Sequence, residues 1–248
     1  MASRWQAALA GALTLVVTPI ISVPAVVTDH FVHTSSFSLI ASARAESTLF
    51  DARAALEQIP VKGRAPKTGY GRNQFGPQWS DVDRNGCDTR NDILKRDLTA
   101  VVFREKTRDC VVERGVLQDR YSGQIIEFQR GEKTSALVQI DHVVALSNAW
   151  QTGIFQSTLK VRTNFANDPL NLIAVKGSLN SQKGDGDAAT WLPPNKAFRC
   201  EYVTRQIQVK VKYGLWVTKA EKEAMNHHIV HRPTCAYDLI KFAAVYIA

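Results

Sequence analysis

Three short polar strings in the middle of the chain combine residue types that could hydrolyse a phosphodiester. Asp141-His142 follows an apolar run, Asn171 precedes a second apolar run, and Asn180 lies nine residues further on. Such hydrolysis needs a base that takes a proton from water, and the ordinary pKa of an imidazole suits His142 to this role. A hard divalent cation prefers oxygen ligands. Asp141 and Asn180 offer a carboxylate and an amide oxygen, so the pattern predicts a one-metal hydrolytic site.

Two strands and a short helix would have to position these residues. We predict the first strand at residues 136–140, the second at residues 171–175, and a helix that carries Asn180. Neighbouring strand residues point to opposite faces. Asp141 and His142 can therefore serve one site only if the first strand ends or bulges beside them.

Charged residues just beyond Asn180 extend this predicted site. Lys183 lies one helical turn further along the same face. It could stabilise a phosphate, or it could be an ordinary lysine on a helix surface. Asp185 and Asp187 could hold water molecules around the ion.

At these positions the chain resembles the HNH, or His-Me finger, endonucleases. It most resembles a bacterial branch of secreted HNH proteins related to the nuclease domain of modification-dependent restriction enzymes. The resemblance is carried by Asp141-His142, by Asp168-Pro169-Leu170-Asn171-Leu172 and by Asn180-x-x-Lys183-Gly184, and it extends over roughly residues 79–221.

The resemblance implies a ββα-metal core and a role for each motif residue. Asp141 would be the first metal ligand, His142 the general base, Asn171 the residue that braces the loop, and Asn180 the second ligand. Asp and Asn stand where the family's motif letters have His. This all-oxygen pair favours one Mg²⁺ or Mn²⁺ ion over Zn²⁺.

The first 45 residues have the features of a secretory signal peptide. Arg4 precedes an uncharged, mostly apolar run at residues 5–28, and Ala43-Arg44-Ala45 forms a small-x-small cleavage site. The run is also long enough for a retained membrane anchor. Two prolines interrupt it, however, so we expect cleavage and no stable membrane insertion afterwards. Either way, the rest of the chain is predicted to be secreted or associated with the cell envelope.

The exported part is long enough for one domain with its own core. We divide it into an N-terminal helix and basic loop at residues 46–78 and an HNH endonuclease domain at residues 79–248, and we expect a monomer. The chain has a net charge of +8. This surplus suits a polyanionic partner, although it is also compatible with an ordinary soluble protein.

The four cysteines, Cys87, Cys110, Cys200 and Cys235, all lie in the exported part. An even number of cysteines in an exported chain predicts disulfides. Sequence order suggests the pairs Cys87–Cys110 and Cys200–Cys235, although four cysteines allow three pairings. A zinc site is the alternative, but no Cys-x-x-Cys is present.

Before the motif, residues 48–59 have the apolar spacing of a helix. Residues 60–77 are rich in Gly, Pro, Lys and Arg. They could form an ordered loop across the substrate or a solvated linker, and their composition favours the linker.

A second polar stretch leads into a helix whose N-cap is Asp88 or Thr89. Arg90, at the start of this helix, is placed either to contact a phosphate or to pair with Asp81 or Asp83. The string from Asp81 to Gly86 also resembles the opening of a calcium loop, but Asp92 stands where such a loop has its bidentate Glu.

The remaining segments provide the framework. We predict strands at residues 100–103, 110–117 and 124–128, a helix at 144–150, a polar loop at 155–168, and helices at 197–213, from 218 onwards and at 239–247. Lys160 and Arg162 in the polar loop could touch phosphates or simply be solvated. His227 and His231 have the i, i+4 spacing of metal ligands, so a zinc hydrolase is a weaker alternative.

The sequence therefore predicts a secreted α+β protein with a ββα-metal core, additional helices, a β-hairpin and disulfides. Its predicted function is metal-dependent endonucleolytic cleavage of DNA, with RNA also open, and with little sequence specificity. The alternative is a secreted, non-catalytic protein that binds nucleic acid or an anionic wall polymer through basic loops on a degenerate HNH scaffold.

Overall fold

The computed structural model describes residues 50–230. The predicted signal peptide, Cys235, His231 and the predicted helix at 239–247 lie outside these residues. Within residues 50–230, no helix has the length and apolar character needed to cross a membrane.

The described part of the chain is a mixture of short helices and strands, as the α+β prediction requires. The helices are α1 (Ala52–Gln58), α2 (Thr89–Asp97), α3 (Leu146–Gln151), α4 (Leu159–Asn167), α5 (Gly177–Lys183), α6 (Arg199–Lys212) and α7 (Lys219–Val230). The strands are β1 (Leu98–Phe103), β2 (Val112–Gln118), β3 (Ile125–Gln129), β4 (Val138–His142) and β5 (Leu172–Lys176). Short 3₁₀ turns at Arg72–Phe75, Ser135–Leu137 and Ile154–Gln156 connect them.

These strands form two separate antiparallel sheets. β1, β2 and β3 make a three-stranded meander, and β4 pairs with β5. In the second sheet Val138 lies opposite Lys176 and His142 lies opposite Leu172. Because α5 begins directly after β5, the chain has the strand, strand, helix order that the sequence predicted.

Strand β5 is buried on both faces, which explains its uninterrupted apolar sequence. Leu172 and Ala174 pack into one apolar cluster, while Ile173 and Val175 pack into another on the opposite face. Helix α6 forms much of the second cluster through residues such as Tyr202. The strand is thereby fixed between two layers of the core.

The junction between β5 and α5 requires a glycine. A Cβ atom at Gly177 would lie 2.1 Å from the carbonyl oxygen of Ala136. This close approach presses the start of α5 against the segment that leads into β4. The helix that carries Asn180 is thus held on the strand that carries Asp141.

The prediction of a polar loop at residues 155–168 is wrong, because most of this segment is helix α4. The side chain of Thr158 caps the helix by accepting a hydrogen bond from the backbone of Val161. Phe165 and Asn167 are its only buried residues, so most of its surface is polar. Because α4 is mostly exposed, few apolar residues mark its buried face, and the helical spacing was not recognised in the sequence.

The preference for a solvated linker at residues 60–77 is also wrong. Arg64 forms an ion pair with the buried carboxylate of Asp187, and Lys67 forms one with Asp185. Phe75 is buried among apolar residues of α3 and α4. This basic segment is a packed part of the domain.

Other framework predictions are confirmed with small shifts in their ends. Helix α1 begins at Ala52 because the Asp51 side chain caps it, and Asp88 is the N-cap of α2. The Cys87–Cys110 disulfide is present. The second predicted pair, Cys200–Cys235, includes a residue outside the described part.

Candidate active site

Strand β4 and helix α5 face each other through alternate residues of the strand. The side chains of Gln139 and Asp141 lie on the same face because they are two residues apart. The amide nitrogen of Asn180 donates to Gln139 Oε1 at 2.8 Å, and Lys183 Nζ donates to Asp141 Oδ1 at 2.9 Å. Residues two apart on the strand thus face residues three apart on the helix, and Asp141 lies beside α5.

The carboxylate of Asp141 is buried and has a partner on each oxygen. Lys183 Nζ bonds Oδ1, and the hydroxyl of Tyr121 donates to Oδ2. Lys183 Nζ also donates to the carbonyl oxygen of His142 at 2.7 Å. Burial, reinforced by the charge of Asp141, raises the pKa of Tyr121 well above its usual value, so its hydroxyl stays protonated.

The place of Lys183 corrects its predicted role. Its side chain is 0% exposed, so it is not a helix-surface lysine. The ammonium is directed at Asp141 and not at solvent. Lys183 is therefore not placed to contact a phosphate directly. Tyr121 was missed by sequence reasoning, since its partner lies twenty residues away and the Tyr-Ser-Gly string indicates only a turn.

His142 lies at the end of β4 and is directed away from α5. Its Nε2 atom is 2.8 Å from the carbonyl oxygen of Ala166, at the end of α4. A carbonyl oxygen can only accept a hydrogen bond, so Nε2 must carry a proton. The neutral ring therefore has its lone pair on Nδ1, which has no hydrogen-bond partner among residues 50–230.

The surroundings of His142 keep the ring neutral near pH 7. Burial lowers the pKa of His142 to about 4. The ring of Trp79 lies nearly parallel to the imidazole, with an interplanar angle of 10° and 6.4 Å between ring centroids. The strand ends at this point, which is one of the two arrangements that the sequence required.

Asn171 is fully buried and fixes the segment that follows His142. Its Oδ1 atom accepts from the backbone amide of Val144 at 2.8 Å, and its Nδ2 atom donates to the Val144 carbonyl oxygen at 3.2 Å. These contacts are the ones that a bracing residue needs. A role in catalysis stays a prediction.

A cavity of about 650 Å³ is lined by four of the six predicted site residues, whereas Asn171 and Lys183 do not line it. Asp141, His142, Asn180 and Arg90 line it, and so does Arg72 from the basic segment. The structure thus brings five polar candidates to one opening.

Within the described part of the chain, the side chains of Arg72 and Arg90 have no hydrogen-bond or ion-pair partner. The predicted alternative, an ion pair between Arg90 and Asp81 or Asp83, is therefore absent among these residues. Burial, with a smaller effect from the charge of Arg130, lowers the pKa of Arg90. A guanidinium so placed remains cationic near neutral pH.

Several other predicted contacts have structural partners instead. Arg162 donates to the carbonyl oxygens of Gln74 and Ser157. Asp185 accepts hydrogen bonds from Lys67 and Ser147, and the hydrogen bond from Lys67 is the main reason that the pKa of Asp185 is lowered. These side chains hold the walls of the cavity together.

The predicted pair of metal ligands keeps oxygen lone pairs that no residue of the described part uses, but one positive charge lies beside it. Asn180 Oδ1 accepts no hydrogen bond from residues 50–230, and each oxygen of Asp141 keeps a second lone pair. Mg²⁺ commonly binds through one or two protein groups and completes its shell with water. The ammonium of Lys183 opposes a second positive charge beside Asp141.

No cluster of three or more His, Cys, Asp or Glu side chains that could hold a metal occurs among the described residues. The described residues therefore give no support to the calcium-loop alternative at Asp81. The zinc alternative includes His231, which lies outside residues 50–230. The predicted magnesium pair contains one acid and one amide, so it is a different kind of site.

Comparison with known proteins places this chain in a family. The family model described as the C-terminal domain of GmrSD restriction endonucleases matches residues 88–227, which is more than half of the chain. An uncharacterized secreted protein of Arthroderma benhamiae is 37% identical over 176 residues, covering 70% of this chain and 81% of that protein. No solved structure matches the chain.

The fungal relative has two consequences for the sequence-based predictions. The resemblance pointed to a bacterial branch of proteins. The fungal relative shows that similar proteins also occur outside bacteria. The predicted secretion is confirmed, because the relative is itself a secreted protein. The matched region contains the strand pair and helix α5, and the chain belongs to the family of GmrSD restriction endonuclease C-terminal domains.

Proposed function

We propose that this protein is a secreted HNH endonuclease that hydrolyses phosphodiester bonds in nucleic acid with the help of one divalent cation. The observation that carries the proposal is the geometry of His142. Its ring is held in one tautomer at the edge of a cavity that also contains Asp141 and Asn180. Membership in a family named for restriction endonucleases supports the same activity.

His142 would act as the general base through Nδ1. The hydrogen bond from Nε2 to Ala166 fixes the orientation of the ring and prevents the proton from moving to Nδ1. The lowered pKa of about 4 keeps the ring unprotonated at neutral pH but makes it a weaker base than an ordinary imidazole, so the base must gain strength when substrate and cation bind. When a water proton arrives at Nδ1, the Nε2–H to carbonyl bond stabilises the imidazolium that forms.

Asp141 and Asn180 would hold Mg²⁺ or Mn²⁺, and Tyr121 and Lys183 would orient the Asp141 carboxylate. The bound ion would neutralise charge on the scissile phosphate and on the leaving oxygen. Asn171 would keep the backbone after His142 in place, so that the imidazole remains aimed at the cavity. Arg90 would contact a neighbouring phosphate.

Plasmid nicking with the His142→Ala variant tests the proposal. General base catalysis contributes about 10²- to 10⁴-fold, so the variant should lose at least about 10²-fold in cleavage rate in Mg²⁺. Wild type should lose its cleavage in EDTA. The control is His227→Ala, in helix α7 and away from the cavity lining, which should cut like wild type.

Equal cleavage by wild type and a folded His142→Ala variant would remove His142 as the base. Circular dichroism and thermal unfolding would show that the variant is folded. Loss of activity in His227→Ala instead would favour the zinc alternative based on the histidines of α7.

One observation favours the non-catalytic alternative. Lys183 already compensates the charge of Asp141, so the buried acid is satisfied without a metal ion. A binding protein of this kind would retard DNA in a gel without shortening it, in Mg²⁺ and in EDTA alike. The nicking assay therefore separates the two functions.

A further inference from the structure

We propose that the cavity beside His142 binds a single-stranded segment of nucleic acid. Trp79 would stack on one base, and Arg72 and Arg90 would contact the phosphates on either side. This inference rests on the proposed nuclease function and names the substrate class of the same site.

Trp79 has the position of a stacking platform. It lines the cavity and is partly exposed, while the rest of the ring packs against the apolar cluster that contains Ile93 and Ile140. Its ring is nearly parallel to that of His142. A base lying on Trp79 would therefore lie next to the proposed general base.

Trp79 is one of six non-glycine residues with positive φ in the described part of the chain, and among these six it alone lines the cavity. Its φ is +58°, in the left-handed region that bulky residues rarely adopt. Such strain persists only where surrounding contacts enforce it, and it occurs often at ligand sites. The Trp79 carbonyl oxygen accepts a hydrogen bond from the backbone amide of Thr89 at 3.4 Å, which ties the backbone of Trp79 to the start of α2.

The charges around the cavity leave two guanidinium groups for an anionic ligand. Each acid that lines the cavity already has an ammonium partner: Asp141 pairs with Lys183, and Asp185 pairs with Lys67. Arg72 and Arg90 have no such partner within residues 50–230. They belong to different elements, the 3₁₀ turn Arg72–Phe75 and helix α2, and both line the same cavity.

The size and chemistry of the cavity favour a single strand over a duplex. A volume of about 650 Å³ is typical of a pocket that holds one small molecule. It would admit a nucleotide but not a double helix. In a duplex the base faces are covered, and a base must be unstacked and unpaired before it can reach Trp79. Aromatic side chains and cations together are the usual means of binding single strands.

Fluorescence anisotropy with the purified full chain in EDTA tests this inference without cleavage. The probes are a labelled 12-nucleotide DNA strand, a hairpin duplex of related sequence, an RNA strand, and an abasic deoxyribose-phosphate strand of equal charge. Base stacking on one aromatic residue changes affinity by roughly 5- to 150-fold. The ordinary strand should therefore bind at least about 5-fold more tightly than the abasic strand and the duplex.

Matched variants assign the effect to the named residues. Trp79→Leu should lose roughly 5- to 150-fold in single-strand affinity, while Trp79→Phe keeps an aromatic face and should retain most of the affinity. Phe155→Leu, an exposed aromatic residue that does not line the cavity, is the control.

The two guanidinium groups are tested in the same way. Arg72→Ala and Arg90→Ala should weaken binding of ordinary and abasic strands alike and reduce its salt dependence. The exposed Arg114→Ala, on β2 and away from the cavity lining, removes the same charge and should bind like wild type.

Equal affinity for the ordinary strand, the abasic strand and the duplex would overturn the inference, and this comparison needs no variant to fold. The nicking assay in Mg²⁺ keeps the two proposals apart. If no nucleic acid is cut but the single strand still binds through Trp79, the nuclease function fails and the subsite stands. If duplex and single strand are cut equally fast and Trp79→Leu has no effect, the subsite fails and the nuclease function stands.

Discussion

The buried ion pair between Lys183 and Asp141 can be tested by replacing Lys183 with Met. Methionine has a similar unbranched shape but no charge. The change leaves the buried Asp141 carboxylate with the Tyr121 hydroxyl as its remaining side-chain partner among the described residues. It also removes the donor to the carbonyl oxygen of His142.

The side-chain exposures of the pair, 0% for Lys183 and 5% for Asp141, set the expected magnitude. Removing one partner of a buried pair costs about 3–5 kcal/mol, because the other charge stays buried and uncompensated. A solvent-exposed pair contributes at most about 1 kcal/mol. We therefore expect Lys183→Met to lower the free energy of unfolding by about 3–5 kcal/mol.

Urea unfolding followed by tryptophan fluorescence measures this loss from the shift of the midpoint at constant slope. The control is Lys67→Met, which breaks an ion pair whose side chains are 54% and 42% exposed and should cost at most about 1 kcal/mol. The Asp141→Asn/Lys183→Met double variant lacks both charges of this pair and should recover about 2–3 kcal/mol relative to Lys183→Met.

The same variant reports on the cation site. Without the ammonium, Asp141 presents an uncompensated carboxylate to the cavity, so Mg²⁺ should raise the melting temperature of Lys183→Met more than that of wild type. The reasoning is refuted if Lys183→Met unfolds within about 1 kcal/mol of wild type, or if the double variant recovers nothing.

Three further changes test the framework of the site. Asn171→Ala leaves a buried backbone N–H and carbonyl group without their partner, so it should cost about 2–4 kcal/mol in urea unfolding, whereas an intact midpoint would show that water replaces the amide. Gly177→Ala places a Cβ atom 2.1 Å from the carbonyl oxygen of Ala136. It should cost about 1–3 kcal/mol, and an unchanged melting temperature would contradict the tight junction. The Cys87→Ser/Cys110→Ser double variant opens a loop with a sequence separation of 23 residues. It should lose about 3 kcal/mol in chemical unfolding, whereas an equal stability would show that the disulfide does not constrain the unfolded chain.

Much of the ββα unit could be predicted from sequence because its signals are local. The apolar run before Asp141-His142 predicts a strand, and the apolar segment that begins at Asn171 predicts a second strand. The motif spacing then places Asn180 on the following helix. All three elements are present as β4, β5 and α5.

Predictions from local sequence were wrong for two segments whose residues are mostly exposed. Helix α4 was predicted to be a loop, because few of its residues are buried. The segment at residues 60–77 was predicted to be a linker, since its Gly, Pro, Lys and Arg content is typical of one. Its partners, Asp185 and Asp187, lie more than a hundred residues further along the chain.

The sequence by itself determined which residues are chemically suited to the site and that two strands and a helix carry them, because strand and helix periods are properties of neighbouring residues. Only the tertiary structure decided the partners of Asp141. Lys183 faces inward because α5 packs on β4, and the Tyr121 hydroxyl arrives from the hairpin region. Such contacts depend on how separate elements pack, and no local pattern in the chain encodes the distance between them.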